Sequence, residues 1–239
     1  MRVPRRLKWK HVKRFYEQLE PFLKASPIKL ERPDSGRILV LSPHIDDDVI
    51  GCGGTLAQHV RAGDKILILY FADCSEERIK EAKAAAAVIG FERFEFFEYG
   101  SKTLFDQKDL DERISKVINT YDPDIVYIPV LMDRHNDHIA INHSFCRLSE
   151  KNGYDHIVYA YEVWTPCVPN LLIDITSSIN IKKDALTCYK SQLEANNWLD
   201  AAISLNRYRA ITSGTGIYAE GFMRYSAREY SRLWKRIFA

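Results

Sequence analysis

From residue 37 onward, short continuous apolar runs alternate with helical stretches, and that alternation limits the fold more than any other feature of the chain. RILVLSP (37–43), KILILYFAD (65–73) and DIVYIPV (124–130) are apolar without a period of two. Such runs suit strands buried on both faces, the condition of a parallel sheet covered by helices. Between them, SEERIKEAKAAAAVIG (75–90) and LDERISKVINTY (110–121) have helical length and composition. Asp73 with Glu76, and Asp109 with Glu112, are spaced as capping boxes, and Gly90 is placed to stop the first of these helices. ERFEFFEY (92–99) half alternates, which suggests a strand nearer an edge; HIVYAYEV (156–163) and LLIDIT (171–176) are further strands. Two more helical stretches and the Gly-rich turn SGTGIYAEG close the chain. Strand–helix alternation with right-handed crossovers predicts the α/β class, a single Rossmann-like three-layer domain around a mostly parallel, doubly wound sheet. Residues 1–36 read as an N-terminal helical extension, and residues 37–239 as the domain.

Composition removes several function classes. No apolar run reaches the ~20 residues of a membrane span, and no apolar segment follows the basic N-terminus as it would in a secretory signal. The five cysteines are scattered and never spaced CxxC, against a disulfide framework or a cysteine zinc cluster, so a reducing cytoplasm is the expected location. The net charge is only +2, yet residues 1–14 hold seven of the 34 Lys and Arg and no acid, leaving the remainder net acidic. That segment is either a peripheral contact with anionic surfaces or the solvated face of a helix packing Trp9, Val12, Phe15, Tyr16 and Leu19 inward. No nucleic-acid partner is expected, and a homo-oligomer is compatible with the composition.

Two polar clusters lie directly after apolar strands. His44, Asp46, Asp47 and Asp48 follow the first strand, and Asp133-Arg-His135-Asn-Asp137-His138 follow the fourth. Crowded carboxylates repel unless a positive group sits among them. In an open parallel sheet, ligands bind beyond the carboxyl ends of the strands, where strand order reverses. With the common order 3-2-1-4-5, strands one and four are neighbours and both clusters face one crevice. Imidazole and carboxylate are zinc donors, and a catalytic zinc takes three protein ligands and keeps one position open. His44, one aspartate of the first cluster and one histidine of the second make such a set, with a spare acid to deprotonate water.

Other readings of the same residues remain open at this level. HxDD can be a turn with an Asp helix cap, and HxxH alone is common. Gly51, Gly53 and Gly54 miss the GxGxxG spacing of a dinucleotide site. Asp46-x-Asp48 resembles the two-aspartate motif of haloacid-dehalogenase-type magnesium phosphatases, which would leave His44 and the HxxH cluster unemployed. A non-catalytic sugar-binding protein would not need Asp46.

PHIDDDVIGCGGTLA resembles the PHPDDExLGCGGTLA signature of the PIG-L/LmbE-type zinc-dependent N-acetylglucosamine deacetylases, and RHNDH resembles their HPDH motif. Arg78 and Glu81 match the family's RxxE helix, and YEVW, IKKDAL…YKSQ and YAEGF resemble its C-terminal half, so the similarity spans about residues 37–223. The resemblance implies a hydrolase that removes an N-acetyl group from an N-acetylglucosamine-type sugar or glycoconjugate, with one Zn2+ per chain. It implies His44, Asp47 and His138 as metal ligands and Asp46 as the base that activates water. It implies His135 as the group that stabilises the oxyanion or assists the departing amine, with Asp137 orienting an imidazole. Arg78 matches a substrate-contacting position, and Arg134, Glu162 and Trp164 are further substrate-binding candidates, with Asn170, Tyr218 and Glu220 as lining residues. Ile45 stands where the family has proline, Asp48 where it has glutamate, and Asp133 where some members carry a carbonyl-polarising tyrosine.

Overall fold

The computed structural model describes residues 27–238. Eight strands form one sheet: β1 (Ile28–Leu30), β2 (Arg37–His44), β3 (Lys65–Ala72), β4 (Phe94–Tyr99), β5 (Ile125–Pro129), β6 (Ile157–Tyr161), β7 (Leu171–Asp174) and β8 (Ala219–Ser226). Their order is β1-β7-β8-β6-β5-β2-β3-β4. The five strands β4-β3-β2-β5-β6 are parallel and reproduce the expected 3-2-1-4-5 arrangement. β8 is antiparallel to both β6 and β7, while β1 pairs with β7 in parallel.

The apolar runs make these strands for the reason the sequence suggests. Ile38, Leu39, Val40 and Leu41 of β2 are all 0% exposed, so both faces of the strand are covered. Each such side chain contributes ~1.5–3 kcal/mol on burial. One core, including Ile38, Val40, Ile68 and Tyr127, lies beneath α1 (Asp47–Ala62), α2 (Glu76–Ile89), α5 (Ile179–Leu186) and α7 (Trp198–Ser213). The other, including Leu39, Leu41, Leu69 and Ile128, lies beneath α3 (Leu110–Tyr121), α4 (Asn136–Asn152) and α8 (Ala227–Phe238). The short helix α6 (Lys190–Leu193) links α5 to α7. No helix among the described residues is long and apolar enough to cross a membrane.

Several local expectations are corrected. Residues 28–30 of the supposed helical extension are a strand that prolongs the sheet, and residues 1–26 lie outside the described residues. The C-terminal stretch holds a full strand, β8, and a closing helix, α8, beyond the Gly-rich turn. Ser75, not Asp73, caps α2, its side chain accepting from the Arg78 N–H, because Asp73 is turned into the left-handed region at φ 57°. Asp109 stands at the start of α3, but its side chain makes no cap hydrogen bond. Gly90 does stop α2, at φ 103°.

β2 and β5 run side by side, Ile38 opposite Ile125 and Val40 opposite Tyr127. The chain winds outward from β2 to β4 and then returns to the other side of β2 with β5. The two polar clusters therefore leave adjacent strand ends at the point of reversal.

Candidate metal centre

His44 is the last residue of β2, and α1 begins at Asp47, so only Ile45 and Asp46 connect strand to helix. So abrupt a turn puts Asp46 at φ 122° and ψ −26°, a conformation non-glycine residues avoid. The Asp46 carbonyl accepts the backbone N–H groups of Val49 and Ile50, at 3.0 and 2.9 Å. The start of α1 then packs so closely on β6 that a Cβ at Gly51 would lie 2.9 Å from Tyr161 Cγ and 3.0 Å from the Glu162 carbonyl oxygen. On the β5 side, His135 caps α4, its Nδ1 accepting the N–H of Asp137 at 3.3 Å. One turn of α4 brings His138 inward.

Three nitrogens converge on a single oxygen, Asp47 Oδ2: the backbone N–H of His44 at 2.9 Å, His44 Nδ1 at 3.2 Å and His138 Nε2 at 3.1 Å. The outer nitrogen of each ring faces another carboxylate. His44 Nε2 is 3.0 Å from Asp137 Oδ2, and His138 Nδ1 is 3.4 Å from Asp133 Oδ2. Asp137 also accepts the N–H groups of Lys102 and Leu104, at 2.7 and 3.3 Å, which fixes it as a support for His44. Asp133 accepts the N–H of His135 at 3.0 Å and of Trp164 at 3.1 Å. It is buried and points inward, so it cannot meet a substrate carbonyl as the tyrosine of some family members does.

Charge follows from this packing. Burial alone would raise the Asp47 carboxyl, but the charge of His138 and the charge and hydrogen bond of His44 outweigh it and hold it well below the usual range. Burial would lower His44, yet its bonds to Asp137 and Asp47 raise it to about 10. His138 is raised in the same way, to about 9, by Asp47 and Asp133. Asp46 has its carboxyl pushed well above 3.8 by burial and by the charge of Asp47. His135 is lowered by burial and by its neighbours His44 and His138. Asp48 points away from the others; burial raises it to about 7, and its Oδ2 accepts the Tyr70 hydroxyl at 3.0 Å.

The donor set fits a divalent cation such as zinc. His138 Nε2 is buried and, although 3.1 Å from Asp47, lies outside hydrogen-bond geometry, so a buried donor atom is left facing the shared oxygen. Imidazoles whose far nitrogens rest on carboxylates are the usual surroundings of metal-ligating histidines. One ring nitrogen each of His44, His135 and His138 also lie within 4.8 Å of one another, which makes His135 a geometric alternative as third ligand. Asp47 Oδ2 is the other candidate for third donor, because the imidazoles of His44 and His138 both turn toward it.

A cavity of about 140 Å³ opens over these groups, lined by His44, Asp46, Asp47, Arg78, His135 and Trp164 among others. Arg78 donates to the Ile45 carbonyl at 2.9 Å and stands 3.4 Å from Asp73 and 4.0 Å from Asp46. A second cavity of about 410 Å³ shares Ile50, Trp164, Asn196 and Trp198 with the first. Trp164 stacks near His135, ring centroids 6.1 Å apart, and meets Trp198 edge-on at 4.7 Å. The guanidinium of Arg134 sits 5.3 Å above the Trp164 ring. Glu162 lines the second cavity, but its carboxylate is occupied by Arg209 and by the N–H of Cys167. Asn170, Tyr218 and Glu220 are corrected as lining residues. Asn170 bonds the backbone of Arg224, Tyr218 lies under Lys183 and Arg207, and Glu220 is a fully buried partner of Lys182. Asn196 and Trp198 have no signal in the sequence, and Asp133 is marked there by its place in the second cluster but given no role as a partner of His138.

Residues 39–148 match the model of the family described as PIG-L, GlcNAc-PI de-N-acetylase. Diacetylchitobiose deacetylase of Thermococcus kodakarensis is 25% identical over 216 residues, 77% of this chain and 81% of that protein. 4-Oxalmesaconate hydratase of Pseudomonas putida is 29% identical over 224 residues, 77% of this chain and 86% of that protein. Among solved structures, a conserved protein of Thermus thermophilus shares the fold with a TM-score of 0.71 at 26% identity, covering 79% of this chain and 94% of that one.

Proposed function

We propose, from the match of residues 39–148 to the PIG-L family model, that the chain is a metal-dependent N-deacetylase, acting on an N-acetylglucosamine-type sugar or glycoconjugate. The observation that carries this reading is the convergence of His44 Nδ1 and His138 Nε2 on Asp47 Oδ2 beneath an open cavity that also holds Asp46. His44, Asp47 and His138 would hold one zinc ion, which when bound supplies a Lewis acid and an acidified water near neutral pH. The remaining chemistry falls to the chain's own groups. Asp46, buried beside the ligands and raised in proton affinity, takes the proton of the attacking water and returns it to the departing amine. His135 accepts the Asp137 N–H at Nδ1, so its proton resides on Nε2, which is free to donate to the developing oxyanion. Arg78, Arg134 and Trp164 bind the sugar, Trp164 offering the flat face that a pyranose packs against. The two cavities, which share Ile50, Trp164, Asn196 and Trp198 as walls, together fall within the ~300–1,000 Å³ of ordinary small-molecule sites.

A second reading has one specific observation behind it, the 29% identity to a hydratase over as much of this chain as the deacetylase covers. The same base and cation could add water to a carbon–carbon double bond, with Arg78 and Arg134 holding carboxylates. A screen separates the two: zinc-supplemented protein is offered N-acetyl sugars, free, nucleotide-linked and lipid-linked, and also unsaturated dicarboxylic acids. Release of free amine from a sugar is the expected result. Hydration of the diacids without amine release from any sugar would overturn the deacetylase reading.

A further inference from the structure

Helix α1 is interrupted at Cys52, whose φ of −141° and ψ of 15° break the helical path. An interrupted helix strands backbone groups on both sides of the break, and buried groups of that kind need partners. One ion pair supplies them. Downstream of the break, Glu220 accepts the N–H groups of Gly54 and Thr55, at 3.0 and 2.8 Å, and the Thr55 hydroxyl at 2.6 Å. Upstream, the Ile50 carbonyl accepts from Lys182 Nζ at 2.8 Å, and the same ammonium donates to Glu220 at 2.6 Å. Lys182 comes from α5 and Glu220 from β8, and both are 0% exposed.

The upstream fragment is the one that matters for chemistry. It holds Asp47, and its Ile50 N–H closes on the carbonyl of Asp46, the residue at φ 122°. A strained residue keeps its conformation only where the surroundings over-determine it. Lys182 is two hydrogen bonds away from that carbonyl, through Ile50. A buried ion pair is in general weak evidence for stability, because well-packed apolar residues often do as well. Neither Met nor Leu could satisfy the carbonyl and the two N–H groups that this pair satisfies.

We propose that Lys182 and Glu220 are positioning residues that splint the broken helix and thereby hold the Asp46 carboxylate and the Asp47 oxygen in register with His44 and His138. This rests on the metal-site reading above, but its test has a metal-free arm. In the metal-free Lys182→Met variant, hydrogen exchange at the Val49 and Ile50 amides should quicken at least tenfold while β3 amides are unchanged. Zinc affinity should weaken about 10–100-fold, the usual range for groups that support ligands. With a substrate in hand, kcat should fall and KM stay within twofold, and Lys182→Arg should recover most of both losses. If Lys182→Met does not fold, Lys182→Met/Glu220→Gln removes both charges together and is read by the same measurements. Wild-type exchange and zinc affinity in either folded variant would overturn the proposal. Failure of both to fold would also overturn it, by making the pair a fold determinant alone. If the wild-type chain binds no zinc, the exchange rates decide on the splint, and the lack of binding counts against the proposed function instead.

Discussion

Loading the centre with metal must expel protons, and pH is the perturbation that exposes this. In the metal-free protein His44 and His138 carry protons up to about 10 and about 9, because the carboxylates of Asp137, Asp47 and Asp133 surround them. Metal binds only the neutral imidazole. Raised proton affinities therefore weaken metal binding as pH falls below about 10, with one proton competing, and more steeply below about 9, with two. At pH 7 the two protons are held with a combined free energy on the order of 7 kcal/mol. Two protons released per ion correspond to an apparent zinc affinity that rises roughly 100-fold per pH unit between about pH 6.5 and 8. The assay is competition against a chromogenic chelator at several pH values, corrected for the chelator's own protonation. Asp46→Asn is the variant to use beside wild type, because it removes a carboxyl among the ligands that burial and Asp47 raise well above its usual range; Asp48, raised to about 7, stays in both proteins and cancels in the comparison. A slope below about half a proton in that variant would refute the reasoning. The imidazoles would then be neutral before metal arrives, and the ion pairs around Asp47 would not exist as described.

Other outcomes follow from the same geometry. Asp46→Asn should keep its zinc yet lose roughly 10²–10⁴-fold in kcat, the range for removing a general base; full activity would remove Asp46 from the mechanism. Asp133→Asn should weaken zinc binding about 10–100-fold through His138, as read by the same chelator competition; unchanged affinity would confine Asp133 to anchoring the Trp164 loop. Gly51→Ala would press its Cβ against the Tyr161 ring and the Glu162 carbonyl, so a loss of about 1–3 kcal/mol is expected in denaturant unfolding.

Much of this molecule was readable before any coordinates. β2, β3 and β5 announce themselves because a strand covered on both faces must be apolar throughout, and the sheet order then places His44 and His138 at neighbouring strand ends. β8 was hidden for a physical reason. AEGFMRYS carries Glu220 at a fully buried position, and a charge reads as surface until its partner, Lys182 in α5, is brought to it by the fold. β1, three residues long, offers no pattern to detect. Asp73 and Ser75 compete for the cap of α2 with equally good chemistry, and only the left-handed backbone at Asp73 decides between them. The candidate metal cluster was legible as residue types, but the wiring was not. That Asp137 serves His44 rather than its near neighbour His135, and that Asp133 turns inward to His138, depends on side-chain directions set by α4 and the loop before it. Asp48 lies against Tyr70 beneath the turn and does not line the cavity over His44 and Asp47.

The central claim is that one cation held by His44, Asp47 and His138 drives amide hydrolysis. Its most direct test is a titration of the metal-stripped protein with zinc while free amine released from N,N'-diacetylchitobiose, or from a better substrate found by the screen, is measured. Activity should be absent at the start, rise linearly to one equivalent and then level, and His138→Ala should stay inactive throughout. Turnover by the stripped protein equal to that of the untreated one would contradict the claim.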